Sequence, residues 1–272
     1  MLKTQTTQSA QIYAQCDMGE PETMSAASGN VVALCRRCPD KTQPNDDSAG
    51  VVETESSAVV MIVADGVGGA PLGHKASAIA VQTIIESVQS ATDSTDLRFA
   101  ILDGMEQANR AILDFGVGAA TTITVVEIQG STARTYQVGD SMALIIGQRG
   151  AVKWQTMVQS PVGHATEAGI IDEVEALYHE DRHYVSNLAG TAEMYIQVGP
   201  AIELASRDTV IIGSDGLFDN LLMDEVIEMG RSGKLIDRID DLARVANSRM
   251  IEADGDEGFG KPDDLTVLLY TA

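Results

Sequence analysis

Residues 58–64 read AVVMIVA, apolar at every position and rich in β-branched side chains. A run this short, with no polar face, predicts a strand buried on both sides rather than a helix. It stops at Asp65-Gly66, and beyond the glycines at 66, 68 and 69 the period changes. Leu72, Ala76, Ile79, Ala80, Ile84 and Val88 recur at helical spacing, as do Leu97, Ile101, Met105, Ala108 and Ile112, which predicts two amphipathic helices. β-rich runs follow at 121–128, 132–138 and 142–146, separated by Gln129-Gly130-Ser131 and Gly139-Asp140-Ser141, a spacing that predicts an antiparallel meander.

Further strands are predicted at 194–198 and 209–214, and a helix at about 221–229. A last helix turns Leu235, Ile239, Leu242, Ala246 and Met250 inward and Asp237, Arg238, Asp240 and Asp241 outward. It leads through GDEGFGKPDD to a final strand at 265–270. Residues 1–45 are polar apart from two short apolar runs, 12–14 and 31–34, each an expected early strand. The mixed segment at about 160–192 carries three of the four histidines and reads as an exposed insertion. Strands outnumber helices and mostly follow one another, so the expected class is α+β, with antiparallel sheets covered by helices.

Composition narrows the function. The 272 residues carry 18 basic and 40 acidic side chains, a net charge of −22. Binding to nucleic acid or to an anionic lipid surface needs the opposite balance, so neither is expected. No apolar run approaches the roughly 20 residues of a membrane crossing, and the first residues lack an apolar signal stretch, which predicts a cytoplasmic protein. Three cysteines make no disulfide framework.

The chemistry gathers on aspartates at strand ends or strand turns: Asp65 in VADGVGG, Asp140 in QVGDSMA, Asp215 in IGSDGLFDN and Asp263 in KPDDLTVLL, with Asn45-Asp46-Asp47 in a less regular setting. A single Asp-Gly is first of all turn chemistry. Several strand-end carboxylates packed at one sheet edge repel one another unless cations intervene. Oxygen donors without Cys or His favour Mg²⁺ or Mn²⁺ over Zn²⁺.

These segments also carry a resemblance. VADGVGG followed by a helix with Lys75-Ala76-Ser77, then GAATTITVV, YQVGDSMAL, SDGLFDN and DDLTVLL, is similar in kind and order to the motif set of the protein phosphatase 2C family, the metal-dependent serine/threonine phosphatases, over roughly 45–270. The resemblance implies one catalytic domain over 1–272, folded as a four-layer α-β-β-α sandwich with two central antiparallel sheets, and a flap at about 160–192. It implies hydrolysis of phosphoserine and phosphothreonine in proteins by a metal-bound water, with no side-chain nucleophile. Two Mn²⁺ or Mg²⁺ ions would be held by Asp47 (Asp46 as second choice), Asp65, the carbonyl of Gly66, Asp215 and Asp263, with a third, weaker ion at Asp140 and Asp219. Phosphorylated proteins would be the substrates, a serine/threonine kinase the counterpart enzyme, and the chain a monomer.

Three positions depart from the family pattern. Thr42 stands where members often have a phosphate-holding arginine, which leaves Lys41, with Arg36 and Arg37 farther back, as phosphate-binding candidates; lysine offers a point charge rather than a bidentate fork. Val67 stands where many members have a histidine, and Met142 where an arginine is usual. The missing arginine and Met142 lend weight to a second expectation, a weak or inactive regulator of the same fold that binds a phosphoprotein or kinase. His74 reads as an exposed helix-start residue, the flap histidines as part of an acidic surface, and Cys35 and Cys38 as strand-end residues.

Overall fold

Alternate residues of the AVVMIVA run enter two different cores, and this sets the order of the layers. Val60, Ile62 and Ala64 pack with helix residues Ala80, Ile84 and Met105, whereas Val59, Met61 and Val63 pack with Val31, Ile212 and Leu268 of a second sheet. Burial on both faces is why the run is apolar throughout. The computed structural model describes residues 9–91, 97–252 and 260–272; the first residues and part of GDEGFGKPDD lie outside the described residues.

In chain order the elements are β1 (Ala10–Ala14), β2 (Glu22–Ala26), β3 (Gly29–Arg36), β4 (Asp47–Glu53), β5 (Val59–Asp65), α1 (Gly73–Ser90), α2 (Leu97–Asp114), β6 (Ile123–Gln129), β7 (Thr132–Val138), β8 (Met142–Ile146), β9 (Val152–Gln155), α3 (Pro161–Glu167), α4 (Glu173–Tyr178), β10 (Gln197–Val198), β11 (Ile202–Glu203), β12 (Thr209–Gly213), α5 (Asp215–Phe218), α6 (Met223–Gly230), α7 (Leu235–Glu252) and β13 (Leu265–Thr271). One antiparallel sheet is ordered β1-β4-β5-β6-β7-β10, with β11 also paired to β7; the other is ordered β2-β3-β13-β12-β8-β9. α1 and α2 cover the first sheet. Leu217, Val226, Leu242 and Ala246 of α5, α6 and α7 pack on Leu34, Leu144, Ile211 and Leu269 of the second. The architecture is the expected α-β-β-α sandwich.

The expected meander is corrected. β6 and β7 pair as a hairpin, but β8 lies beside β12 in the other sheet. Gly139-Asp140-Ser141 is therefore a crossover between sheets, not a hairpin turn. Gly139 takes φ +102°, and a Cβ there would lie 2.6 Å from the Thr122 side chain, so the chain leaves β7 tightly against β6. Periodicity could not tell the two arrangements apart, because β8 is apolar on both faces whichever sheet it joins. Pattern reading also passed over β4, whose run is broken by Ser48 and Gly50. Gly50 admits α1: a Cβ there would lie 2.7 Å from both Val81 and Ile85.

The 160–192 segment holds α3 and α4. Ser160 caps α3 by accepting from Gly163 N, and Asp172 with Glu175 forms a capping box on α4. Its outer side chains Ile170, Tyr178 and Tyr184 are exposed. Its base is tied down: Gly139 N and Asn187 Nδ2 both donate to Gln159 Oε1 at 2.7 Å. Among the described residues no helix is long and apolar enough to cross a membrane.

Candidate metal centre

The predicted aspartates meet at one end of the two sheets. Asp47 opens β4 and Asp65 closes β5, directly opposite each other in the antiparallel register, so their side chains leave the same face. Asp140 lies in the crossover, Asp215 begins α5 directly after β12, and Asp263 sits just before β13. β12 pairs with β13 such that Gly213 faces Val267, which delivers Asp215 and Asp263 to the same end of the second sheet. Ser214 fastens the two sheets there: its Oγ donates to Asp47 Oδ2 at 2.7 Å and accepts from Thr266 N at 3.0 Å.

Both Asp-Gly pairs owe their glycine to close approach rather than to a left-handed turn. A Cβ on Gly66 would collide with the Gly73 carbonyl, and one on Gly216 with the Asp264 carbonyl. Gly216 thus lets α5 press against the lead-in to β13, bringing Asp215 beside Asp263. The backbone of Asp65 is held by the paired threonines of GAATTITVV. Asp65 N donates to Thr122 Oγ1 at 3.0 Å, and Thr121 Oγ1 donates to Asp65 O at 2.8 Å.

Of the neighbouring acid pairs, one member each is structural. Asp264 is buried and gathers the 38–46 loop, accepting from Cys38 N at 2.7 Å, from Asp46 N at 2.6 Å and from Lys41 Nζ. Asp46 accepts from Lys41 Nζ at 2.7 Å and from His74 N at 2.8 Å. Asp47, not Asp46, stands among the other carboxylates. Lys41 is therefore at the site but bound to two acids. Arg36 donates to the carbonyls of Met18 and Gly19, and Arg37 pairs with Asp17 at 3.2 Å, so both guanidiniums are committed to the β1–β2 connection. His74 is half-buried against Asp46 rather than fully exposed as expected, because its ring lies 3.6 Å from that carboxylate. Burial pushes the Cys35 thiol up, and burial with Asp263 and Asp264 pushes Cys38 up to about 11, in both cases away from the reactive thiolate.

The electrostatics match the crowding. Burial, then Asp264, pushes Asp47 well above the usual carboxylate range; burial, then Asp47, Asp215 and Asp263, does the same to Asp65. Burial followed by Asp215 brings Asp140 up to about 8 and Asp263 to about 7. Asp215 goes the other way. Burial would raise it, but Lys261 outweighs that and holds it below its ordinary value. Two buried acceptors, Asp47 Oδ1 and Asp215 Oδ1, receive no hydrogen bond from the described residues by distance and angle. That donor set, all oxygen and short of positive charge, fits hard divalent cations.

Sequence reasoning missed Lys261. Its ammonium pairs with Asp215, with Asp219 Oδ2 at 3.1 Å and with Asp263 Oδ2 at 3.2 Å. As the side chains stand, no three acids among the described residues close on one ion. A cavity of about 620 Å³ adjoins the cluster, lined by Asp140, Asp215 and Asp219 and by Val162, Leu177 and Arg182 of the 160–192 segment. It is large enough for a side chain and the backbone that bears it.

Comparison with known proteins agrees with this fold. The serine/threonine phosphatase stp of Listeria monocytogenes is 25% identical over 236 residues, covering 83% of this chain and 89% of its own. The protein phosphatase PhpP of Streptococcus pneumoniae is 26% identical over 249 residues, covering 88% and 96%. The solved serine/threonine phosphatase of S. agalactiae superposes with a TM-score of 0.76 at 26% identity, over 89% of this chain and 98% of that one. The catalytic domain of the phosphatase PstP, solved in complex with 2 manganese ions, shares the fold with a TM-score of 0.71 at 20% identity, over 89% and 96%. The sequence profile of the family described as protein phosphatase 2C matches residues 36–250, and with the sandwich and the gathered strand-end aspartates this means that the chain belongs to the protein phosphatase 2C family.

Proposed function

We propose that this protein phosphatase hydrolyses phosphoserine and phosphothreonine in proteins with a water activated at a binuclear Mn²⁺ or Mg²⁺ centre held by Asp47, Asp65, the carbonyl of Gly66, Asp215 and Asp263. The observation that carries the reading is the pair of buried oxygens without a donor among the described residues, Asp47 Oδ1 and Asp215 Oδ1, in a cluster where burial and neighbouring carboxylates push Asp47 and Asp65 upward. Ions held by these residues would supply Lewis-acid polarisation and make water nucleophilic near neutral pH, so that no side-chain nucleophile would be needed.

The chain's own residues position this chemistry. Ser214 orients Asp47, the two threonines hold the Asp65 backbone, and Gly216 brings Asp215 against the β13 lead-in. Lys41 uses two of its three N–H donors on Asp46 and Asp264, leaving one for a phosphate oxygen. The adjoining cavity admits the phosphorylated segment, with the 160–192 segment as its flap. The counterpart enzyme is a serine/threonine kinase that makes such substrates.

The test is release of phosphate from a phosphothreonine peptide. Turnover with millimolar Mn²⁺, lost in EDTA and lost in Asp215→Asn, supports the reading. Hydrolysis indifferent to EDTA overturns it. Peptide binding without turnover in the native protein also overturns it, in favour of a regulator.

A further inference from the structure

We propose that Lys261 is a tethered cation built into the carboxylate cluster, occupying with its ammonium the place between Asp215, Asp219 and Asp263 that a further divalent ion would need, so that the chain loads two ions and not three. The inference rests on the binuclear reading above and adds what sets its limit.

The lysine is placed by a clamp rather than by chance on a surface. Lys261 N donates to Asn220 Oδ1 at 2.8 Å, and Asn220 Nδ2 donates back to Lys261 O at 2.9 Å and to Gly216 O at 3.0 Å. Asn220 is fully buried. The segment 215–220 therefore both supplies two of the carboxylates and grips the backbone of the residue that neutralises them. Arg182 adds a hydrogen bond from Nη2 to the Gly260 carbonyl at 3.3 Å, and Pro262 restricts the backbone on the other side.

The donor count closes. An ammonium has three N–H groups, and Lys261 faces three carboxylates. Asp215 divides its oxygens between two tasks: Oδ2 meets Lys261, while Oδ1 receives no hydrogen bond from the described residues. The orphaned oxygens of Asp47 and Asp215 thus remain for divalent ions, and the Asp219 side is already occupied by positive charge. A divalent ion bound to Asp215 and Asp219 would have to share those carboxylates with the ammonium at close range, where like charges repel. The third ion expected at Asp140 and Asp219 is thereby excluded. With all six aspartates ionised, two divalent ions and one ammonium leave the cluster one charge short of neutrality, so expelling the lysine would invite another ion.

Manganese stoichiometry tests this in the full-length protein, by equilibrium dialysis against millimolar Mn²⁺ with metal analysis. The native chain is expected to hold two ions, Lys261→Arg two, and Lys261→Met three, the extra one disappearing again when Asp219→Asn is added. Three ions in the native chain, or two in a folded Lys261→Met, overturns the inference while leaving the binuclear reading intact. No bound manganese in the native chain defeats the binuclear reading itself and the inference with it. A crystal of the native protein grown with Mn²⁺ needs no variant. Lys261 Nζ seated among the three carboxylates supports the inference, and an anomalous manganese peak in that place overturns it.

Discussion

Asp47 and Asp65 stand directly opposite each other at the end of the β4–β5 ladder, two like charges in the one pairing where cross-strand neighbours are closest. Without a cation, burial followed by Asp264 raises Asp47, and burial followed by Asp47 raises Asp65, both in the direction that favours the neutral carboxyl. The arrangement costs stability in the empty protein and makes ion binding favourable, and it sets the direction of the effects that follow.

Asp47→Asn removes one side of that repulsion. The metal-free variant is expected to melt at a higher temperature than the native protein, while its Mn²⁺-dependent turnover falls by about 100-fold or more. Thermal denaturation in EDTA and a phosphopeptide assay read the two effects. A lower melting temperature with turnover retained would contradict the account.

Ser214→Ala strips the donor from Asp47 Oδ2 and the acceptor from Thr266 N, both buried. The expected loss is about 1–3 kcal/mol of stability in urea denaturation. Mn²⁺ affinity falls with it, by about 10–100-fold, because a carboxylate that has lost its orienting partner ligates less well.

Gly216→Ala drives a methyl group into the Asp264 carbonyl, so α5 and the β13 lead-in must separate. Destabilisation of about 1–3 kcal/mol is expected, together with weaker Mn²⁺ binding as Asp215 leaves Asp263. Gly69→Ala, where a Cβ meets none of the described residues within 4 Å, is the matched control and should stay within about 0.5 kcal/mol. Equal effects at the two glycines would rule out the close-approach explanation.

The metal-free protein is expected to lose stability as pH rises. Burial and neighbouring carboxylates bring Asp140 up to about 8, Asp263 to about 7 and Asp219 to about 6. A carboxyl raised on folding holds its proton more tightly in the native state than in the unfolded one. Its stabilising contribution is present below the ordinary value near 4 and drains away as pH climbs through the raised value. Melting temperatures in EDTA should therefore fall between about pH 4 and 8, and Mn²⁺ should restore more at the upper end. Asp215, held low by Lys261, opposes this trend but is outnumbered. A melting temperature that rises steadily across the same window in EDTA would show that the carboxylates are not so crowded.

The layers were legible because burial on two faces writes itself into a strand at every position, as in AVVMIVA, and burial on one face writes a helical stripe, as in α1 and α7. The short strands β2, β9 and β11 carry no such stripe, and β4 hides its own behind Gly50. His74 was expected to be exposed, since nothing local announces that the Asp46 carboxylate will cover it.

Local chemistry along the chain determined that apolar strands end in aspartates, that hard oxygen donors would dominate wherever those ends met, and that helices would cover antiparallel sheets. Tertiary structure alone decided that β8 crosses to the second sheet, that Asp47 faces Asp65, that Ser214 joins Asp47 from 167 residues away, and that Lys261 enters the carboxylate cluster under the grip of Asn220. The physical reason is range: periodicity and turn preference act over a few residues, whereas the repulsion, the clamp and the close glycine contacts exist only between segments that folding brings together.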